Sequence, residues 1–282
     1  MNIGIIGLGL IGGSMGLNLR KSNFAHSVFG MDANPTNASH AVKLGIVDKI
    51  LPLEDLLLES NIIILSIPVD AIQKILPNIL NKISNSSVVL DTGSTKQDLC
   101  KSILHHPQRR RFVATHPIAG IEHSGPMFAD SDLFLKKNCI ICDAQFSDGE
   151  ALSLVKQIYS TMKMRIIHTT SEEHDLYISY ISHLPHVLSF SLARTILKKF
   201  FKKEKIVNTM MGSGLYSTIR LAKSNPKTWL PIFASNRNNM IQAINGYIHV
   251  LEEFRYYLLN KKFHEIFHYL KKANSIKDKK YV

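Results

Sequence analysis

Cysteine is scarce: three thiols, Cys100, Cys139 and Cys142, stand in 282 residues, an odd number too sparse for a disulfide framework. A reducing compartment, and with it a cytoplasmic protein, is the expectation. Long apolar runs are also missing. None reaches the ~18–20 uncharged residues that a membrane span requires, and the stretch from Met1 to Gly16 is broken by glycine and lacks a basic leader. Neither signal peptide nor membrane anchor is expected. Internal repeats and low-complexity tracts are absent. Acidic residues are outnumbered, 22 against 34 Lys and Arg, for a formal charge of +12. No helix-turn-helix pattern or aromatic-interleaved basic surface accompanies that excess, so nucleic acid is not the expected partner and a small anionic substrate is. Much of the charge lies in 198–205 and 271–280, read as solvated helix faces, and Arg109, Arg110 and Arg111 read as surface residues ahead of a strand. Cys139 and Cys142 form a C-x-x-C, but Ile140 and Ile141 between them read as buried strand. No second Cys/His pair completes zinc spacing, and no metal is expected.

What is present is enough apolar material, 45% of residues, for one or two sizeable cores. Up to about residue 168, short β-branched runs alternate with amphipathic stretches, the pattern of an α/β domain built on a doubly wound parallel sheet. The runs are 2–7, 27–32, 61–67, 87–91, 112–115, 138–143 and 164–168, nearly continuous in apolar residues as expected of strands covered on both faces. From 169 onward helical periodicity takes over. Thr170 with Glu173 forms a capping-box signature, and helices are predicted over 171–200, 204–211, 215–223, 226–245 and 247–260, with a last one before the Lys-rich tail. The reading is two domains, 1–168 and an all-helical 169–282.

Gly7, Gly9 and Gly12 spell G-x-G-x-x-G directly after a strand and opening a helix, the context in which this motif binds a dinucleotide. Gly7 permits the tight turn, Gly9 lets backbone approach a pyrophosphate, and Gly12 allows close helix packing, with Leu8, Leu10 and Ile11 between them. Asp32 closes the next strand, twenty residues beyond Gly12, where its carboxylate accepts from ribose hydroxyls and opposes a 2′-phosphate. NAD is therefore the expected cofactor of a Rossmann-type domain. Ser66, near the end of the 61–67 run, joins the cofactor-binding candidates.

Ligands of open α/β sheets bind beyond the carboxyl ends of the strands. Two polar segments lie there: Asp91-Thr92-Gly93-Ser94-Thr95-Lys96 and Thr115-His116-Pro117-Ile118-Ala119-Gly120. Taken singly, Ser94 reads as a helix N-cap and His116 as a loop histidine; their shared location opens a catalytic reading for both. In the helical half, His183 and His186 lie three residues apart on one helix face, with Pro185 between them set to kink that helix. Gly212-Ser213-Gly214 precedes a helix bearing Arg220, either a surface residue or a bidentate clamp for a carboxylate, and Trp229, the one tryptophan, follows.

Together these motifs resemble the prephenate/arogenate dehydrogenase family of tyrosine biosynthesis. The matching pieces are Gly7-Leu8-Gly9-Leu10-Ile11-Gly12-Gly13-Ser14, Gly93-Ser94-Thr95-Lys96, His116-Pro117-Ile118-Ala119-Gly120, Ser182-His183-Leu184-Pro185-His186, and Arg220-Leu221-Ala222-Lys223-Ser224 followed by Trp229, in the family's order across nearly the whole chain. The resemblance implies NAD-dependent oxidative decarboxylation of prephenate to 4-hydroxyphenylpyruvate, with arogenate dehydrogenation as the alternative. It implies that His116 takes the proton of the ring hydroxyl, that Ser94 orients His116 on the nicotinamide side, and that Arg220 holds a substrate carboxylate. His186 and His183 complete the polar wall, Glu122 stands near the entrance, and Trp229 is the neighbouring aromatic. It further implies an intertwined homodimer through the helical domain. The pKa of a free histidine, ~6.5, suits the proton transfer, so neutral His116 is the active form and a limb of the pH–rate profile belongs to it.

Two positions depart from the family pattern. Ile121 replaces a common threonine and Ser217 a common aspartate, which removes support for an ionic gate of Glu122, that aspartate and Arg220. Neither a regulatory ACT domain nor a fused chorismate mutase is expected, and any feedback by tyrosine is expected to act at the active site or dimer interface. The rival readings are a β-hydroxyacid dehydrogenase or imine reductase of similar architecture and, from another class, a basic nucleic-acid-binding or NAD-sensing protein without chemistry of its own.

Overall fold

The computed structural model describes residues 1–121, 123–200 and 209–278. Within them the chain forms two compact units, Met1–Asn236 and Arg237–Val282. The expected Glu122 contact, most of the expected 204–211 helix and the end of the Lys-rich tail lie outside the described residues.

The first unit is organised by one eight-stranded sheet: β1 Asn2–Ile6, β2 Ser27–Met31, β3 Lys49–Ile50, β4 Ile62–Leu65, β5 Val88–Asp91, β6 Phe112–Pro117, β7 Asn138–Cys142 and β8 Arg165–Thr169. Its strand order is β3-β2-β1-β4-β5-β6-β7-β8. The first six strands are parallel and reverse direction of growth between β1 and β4, the crevice where doubly wound sheets bind dinucleotides. Two features depart from the sequence reading. β3 has only two residues, too few for a periodic signal. β7 runs antiparallel to β6, so the sheet is not wholly parallel. Among its described residues the link before β7 holds a short 3-10 turn, Pro126–Phe128, and no α-helix to carry the chain back across the sheet, so β7 pairs in the reverse sense.

Alternation along each strand builds an apolar layer on either face. Ile3, Ile5, Ile62, Ile64, Val88 and Leu90 point into one layer, while Ile6, Ile63, Leu65, Val89, Phe112 and Ala114 point into the other. The layers are covered by α1 Leu10–Lys21, α2 Pro35–Lys43, α3 Leu53–Glu59, α4 Val69–Lys82, α5 Gln97–Ser102 and α6 Gly149–Thr161. Cys139 belongs to one layer and Cys142 to the other, so the two thiols of the C-x-x-C lie on opposite sides of the sheet. Burial raises both thiol pKa values and pushes that of Cys100 up to about 12, so all three are protonated and inert.

The sheet ends at Thr169, yet the packing break comes only after Asn236, because the first helices of the C-terminal part are tied to the loops of the sheet. Thr170 caps α7, Ser171–Ile178, accepting from Glu173 N at 3.1 Å as its pairing with Glu173 predicted. The helix expected to run unbroken to 200 then opens into a π-turn over Ser179–His183 before continuing as α8, Leu184–Phe200. Pro185, which has no N–H to donate, falls just after that wide turn, where regular hydrogen bonding is already interrupted; the turn takes up what had been read as a kink. α9, Ser213–Ile219, a 3-10 turn at Arg220–Lys223, and α10, Pro226–Ser235, complete the unit.

The second unit consists chiefly of α11, Arg237–Leu259, and α12, Phe263–Asn274. The break expected near Gly246 falls instead at Asn236. A glycine inside a helix costs only about 1 kcal/mol relative to alanine, whereas the Asn236 amide turns inward to donate to Asp175 O at 2.7 Å.

Arg109 and Arg111 are buried, not surface residues as their charge suggested. Arg111 donates to Ser87 O at 2.9 Å and Ser86 O at 2.6 Å and reaches Asp148 and Glu150 at 3.4 and 3.3 Å. The Arg109 guanidinium lies 5.6 Å from each of the Phe112 and Phe146 rings. Guanidinium groups tolerate burial when carbonyls and ring faces replace water.

Candidate active site

β1 runs out at Ile6 and the chain turns at Gly7, whose φ of +97° is unfavourable for any side chain. The Leu8 N–H donates to Asp32 Oδ2 and the Asn34 N–H to Asp32 Oδ1, both at 2.8 Å, so the carboxylate at the end of β2 braces the glycine turn. Gly9 is the N-cap of α1 and supplies no side chain to satisfy its first N–H groups. Those donors and the positive end of the helix dipole remain for an anion. A Cβ built on Gly9 meets nothing within 4 Å, while one on Gly12 would overlap the Gly7 carbonyl oxygen. Open space above Gly9 and close packing at Gly12 are what a dinucleotide pyrophosphate requires. Leu8 is buried, Leu10 and Ile11 half-buried in the first turn, and Ser66, just past β4, lies beside Gly12 and hydrogen-bonds Thr92 at 3.2 Å.

Next to this turn the two polar segments read from the sequence are held by a buried ion pair. Lys96 Nζ meets Asp91 Oδ2, with both side chains fully enclosed. Asp91 also accepts from Gly93 N at 2.8 Å and Thr115 N at 3.1 Å, so one carboxylate joins the ends of β5 and β6. Ser94, half-buried in the loop so formed, has no hydrogen bond to His116 among the described residues. Thr95 Oγ1 pairs with Ser235 Oγ at 2.8 Å, fastening the loop to α10.

His116 stands half-buried near the end of β6. Its Nδ1 lies 2.9 Å from Nε2 of His174 on α7, and Nδ1 of His174 lies 2.7 Å from Asp175 Oδ1. Asp175 in turn accepts from Lys96 N at 2.8 Å and Gln97 N at 2.9 Å, which locks α7 to the start of α5. Desolvation, reinforced by His174, Lys96 and His183, depresses the His116 pKa well below 6.5, so this imidazole is neutral at physiological pH. That corrects the sequence-based expectation of an unperturbed value.

His183 is buried, its pKa lowered to about 4 mainly by desolvation, and its Nδ1 lies 3.3 Å from the Asn236 amide nitrogen. His186 stacks on Trp229 with centroids 3.6 Å apart, and His183 meets the same indole edge-on at 5.8 Å. Arg220, exposed on its 3-10 turn, lies close enough to His186 to contribute to the lowering of that pKa, after the larger effect of burial. His183, Trp229 and His186 thus form one ring cluster, with His183 in electrostatic range of His116 and Arg220 in electrostatic range of His186. Glu122 is outside the described residues; Ile121 and Ser217 are exposed.

The sequence reading missed His174 and Asp175. In Glu172-Glu173-His174-Asp175 they look like part of the polar start of a helix, whereas the structure buries both beside His116. Their position on the Ser171, His174, Asp175, Ile178 face, which must pack inward, was the available signal.

The family model described as "Prephenate dehydrogenase, nucleotide-binding domain" matches residues 15–168, and that described as "Prephenate dehydrogenase, dimerization domain" matches residues 170–272. A prephenate dehydrogenase of Bacillus subtilis is 28% identical over 279 residues, covering 97% of this chain and 74% of the relative. Among solved structures, prephenate dehydrogenase from A. aeolicus in complex with hydroxyphenyl propionate and NAD+ is 31% identical with a TM-score of 0.88, covering 98% of this chain and 97% of that one. Arogenate dehydrogenase of Synechocystis is 25% identical with a TM-score of 0.80, and all of both chains is covered. With the two matches spanning most of its length, and the glycine turn lying just ahead of the first, this chain belongs to the prephenate dehydrogenase family.

Proposed function

We propose that the protein is an NAD-dependent dehydrogenase that converts prephenate to 4-hydroxyphenylpyruvate and carbon dioxide in tyrosine biosynthesis. NAD, when bound, supplies a nicotinamide carbon that accepts hydride. Gly7, Leu8, Gly9, Leu10, Ile11 and Gly12 would hold its pyrophosphate, Asp32 would take the adenosine ribose, and Ser66 and Ser94 would border it. Neutral His116 accepts the proton of the substrate's ring hydroxyl while hydride leaves the same ring carbon. Loss of the ring carboxylate as carbon dioxide then aromatises the ring, and the proton returns to the phenolate oxygen. The driving force is the substrate's own; the chain contributes position, a base and shelter from water. Arg220 binds a carboxylate of the dianion, His186 and His183 supply the polar wall, and Trp229 fixes His186.

The observations that carry this reading are neutral His116 held by His174 at the end of β6, the His183–Trp229–His186 ring cluster, and a glycine turn whose Gly9 faces open space. A nucleotide-binding part over 1–168, a helical part over 169–282 and a homodimer through the latter belong to the same proposal. Ile248, Leu251, Leu258, Phe263, Phe267 and Leu270 are exposed on α11 and α12, an apolar excess that a second copy can cover. No described helix is long and apolar enough to cross a membrane. The three free thiols and an intracellular cofactor fit a cytoplasmic enzyme. The test is NAD reduction measured side by side with prephenate, arogenate and 3-hydroxyisobutyrate. Prephenate is expected to give the highest kcat/KM; preference for arogenate moves the assignment within the family, and preference for 3-hydroxyisobutyrate overturns it.

A further inference from the structure

We propose that His174 and Asp175 are a positioning pair that fixes the tautomer of His116, directing its unprotonated Nε2 toward the reacting hydroxyl. The inference rests on the reading of His116 as the proton acceptor and adds how the fold prepares it. A carboxylate only accepts hydrogen bonds, and a neutral imidazole has one donor and one acceptor nitrogen. Asp175 Oδ1 therefore takes the His174 Nδ1 proton at 2.7 Å. His174 is left with a lone pair on Nε2, and the 2.9 Å contact is satisfied when His116 donates from Nδ1. The His116 proton is thereby held on the inner nitrogen and the outer one is bare. Each link is directional, and the direction originates at Asp175.

The pair is built into the fold. Asp175 is braced by two backbone amides, Lys96 N and Gln97 N, at the start of α5, and its own carbonyl is held by Asn236. His174 and Asp175 are each 1% exposed, so water does not compete for these bonds. The chargeable groups facing His116 from the other elements are Lys96 and His183, and the Lys96 charge is countered by Asp91. Without the pair, His116 would be free to turn over or to carry its proton on the outer nitrogen, where it cannot serve as a base.

Two measurements test this. In the cofactor-free protein, nitrogen-15 NMR of labelled histidine, with His116 assigned through a His116→Asn variant, is expected to show His116 protonated at Nδ1 and bare at Nε2. A proton on Nε2, as would follow from a doubly protonated His174, overturns the proposal without any reference to turnover. In kinetics, His174→Leu is expected to lower kcat roughly 100-fold, within the range contributed by general base catalysis, with KM for prephenate and Kd for NADH within about twofold of the parent. His174→Gln, whose amide can donate to Asp175 and accept from His116, should recover most of that loss. An equal loss in the Leu and Gln variants, or an effect confined to KM, overturns it. Normal kcat in His116→Asn sinks the proposed chemistry itself; a crippled His116→Asn alongside a fully active His174→Leu sinks the pair alone.

Discussion

The two glycines at the start of α1 should fail in different ways when each is given a methyl group. In Gly9→Ala the new Cβ faces open space, and φ −75°, ψ −156° suits alanine. Replacing glycine at an unstrained site stabilises by about 0.4–1 kcal/mol through the unfolded chain, and the preference for glycine over alanine at an N-cap offsets part of that. The urea midpoint should therefore stay close to that of the parent. The methyl group occupies the space assigned to the pyrophosphate, and loss of one or two charge-assisted bonds, each worth about 1.5–3 kcal/mol, weakens NADH binding by at least ~10-fold. In Gly12→Ala the Cβ meets the Gly7 carbonyl oxygen, an atom of the turn itself that cannot rotate away, so α1 must shift against the sheet. Overpacking of this kind costs typically ~1–3 kcal/mol, and stability should fall with affinity. NADH fluorescence titration and urea unfolding, run on both variants, separate the effects. Parental affinity in Gly9→Ala, or parental stability in Gly12→Ala, would refute the division of roles between open cradle and packed contact.

Four further outcomes follow from the site. His116→Asn should lower kcat by ~10²–10⁴ and leave NADH binding intact; because burial depresses the His116 pKa, the parental rate should rise with pH through a limb below 6.5 and be flat above it, and a rising limb centred above 6.5 would contradict the geometry. Arg220→Ala, losing a charge-assisted contact, should raise KM for prephenate about 10- to 100-fold with little change in Kd for NADH, whereas equal losses in both would point to misfolding. For His183 the unfolded chain takes up a proton near 6.5 while the folded chain resists until about 4, so stability declines as pH falls across that window, by up to about 3 kcal/mol at ~1.36 kcal/mol per pKa unit; His183→Gln should flatten the dependence of urea stability on pH between 6.5 and 4, and an unchanged slope counts against it. Lys96→Met leaves Asp91 buried without its cation and should cost about 3–5 kcal/mol, much of it recovered when Asp91→Asn is added, as thermal unfolding of the single and double variants will reveal.

How much of this was legible beforehand depended on the range of the interaction. The glycine turn, Asp32 and the Thr170 cap are local devices whose partners stand within a few residues or at the next strand end, and they could be read directly. The longer strands were legible because each is apolar on both faces. β3 was too short to register, and the antiparallel sense of β7 depends on a connection without a helix, which no strand pattern encodes. Arg109 and Arg111 looked like surface charge because the carbonyls that bury Arg111 come from Ser86 and Ser87, more than twenty residues away just ahead of β5. The site divided in the same manner. Motifs singled out His116 and Arg220 as candidates, but His174 meets His116 across 58 residues and Asp175 meets Lys96 across 79, so adjacency in sequence hid these contacts.

The π-turn at Ser179–His183 gives the helical segment two independently set halves. Upstream, α7 is anchored by Asp175 to the loop after β5; downstream, α8 presents His186 to the indole. In an α-helix each added or deleted residue rotates everything beyond it by about 100°. Relaxing the wide turn into regular helix would swing the downstream imidazole off Trp229 while leaving the anchored half in place. The segment therefore sets the rotational phase between the scaffold and the stacked His186–Trp229 pair.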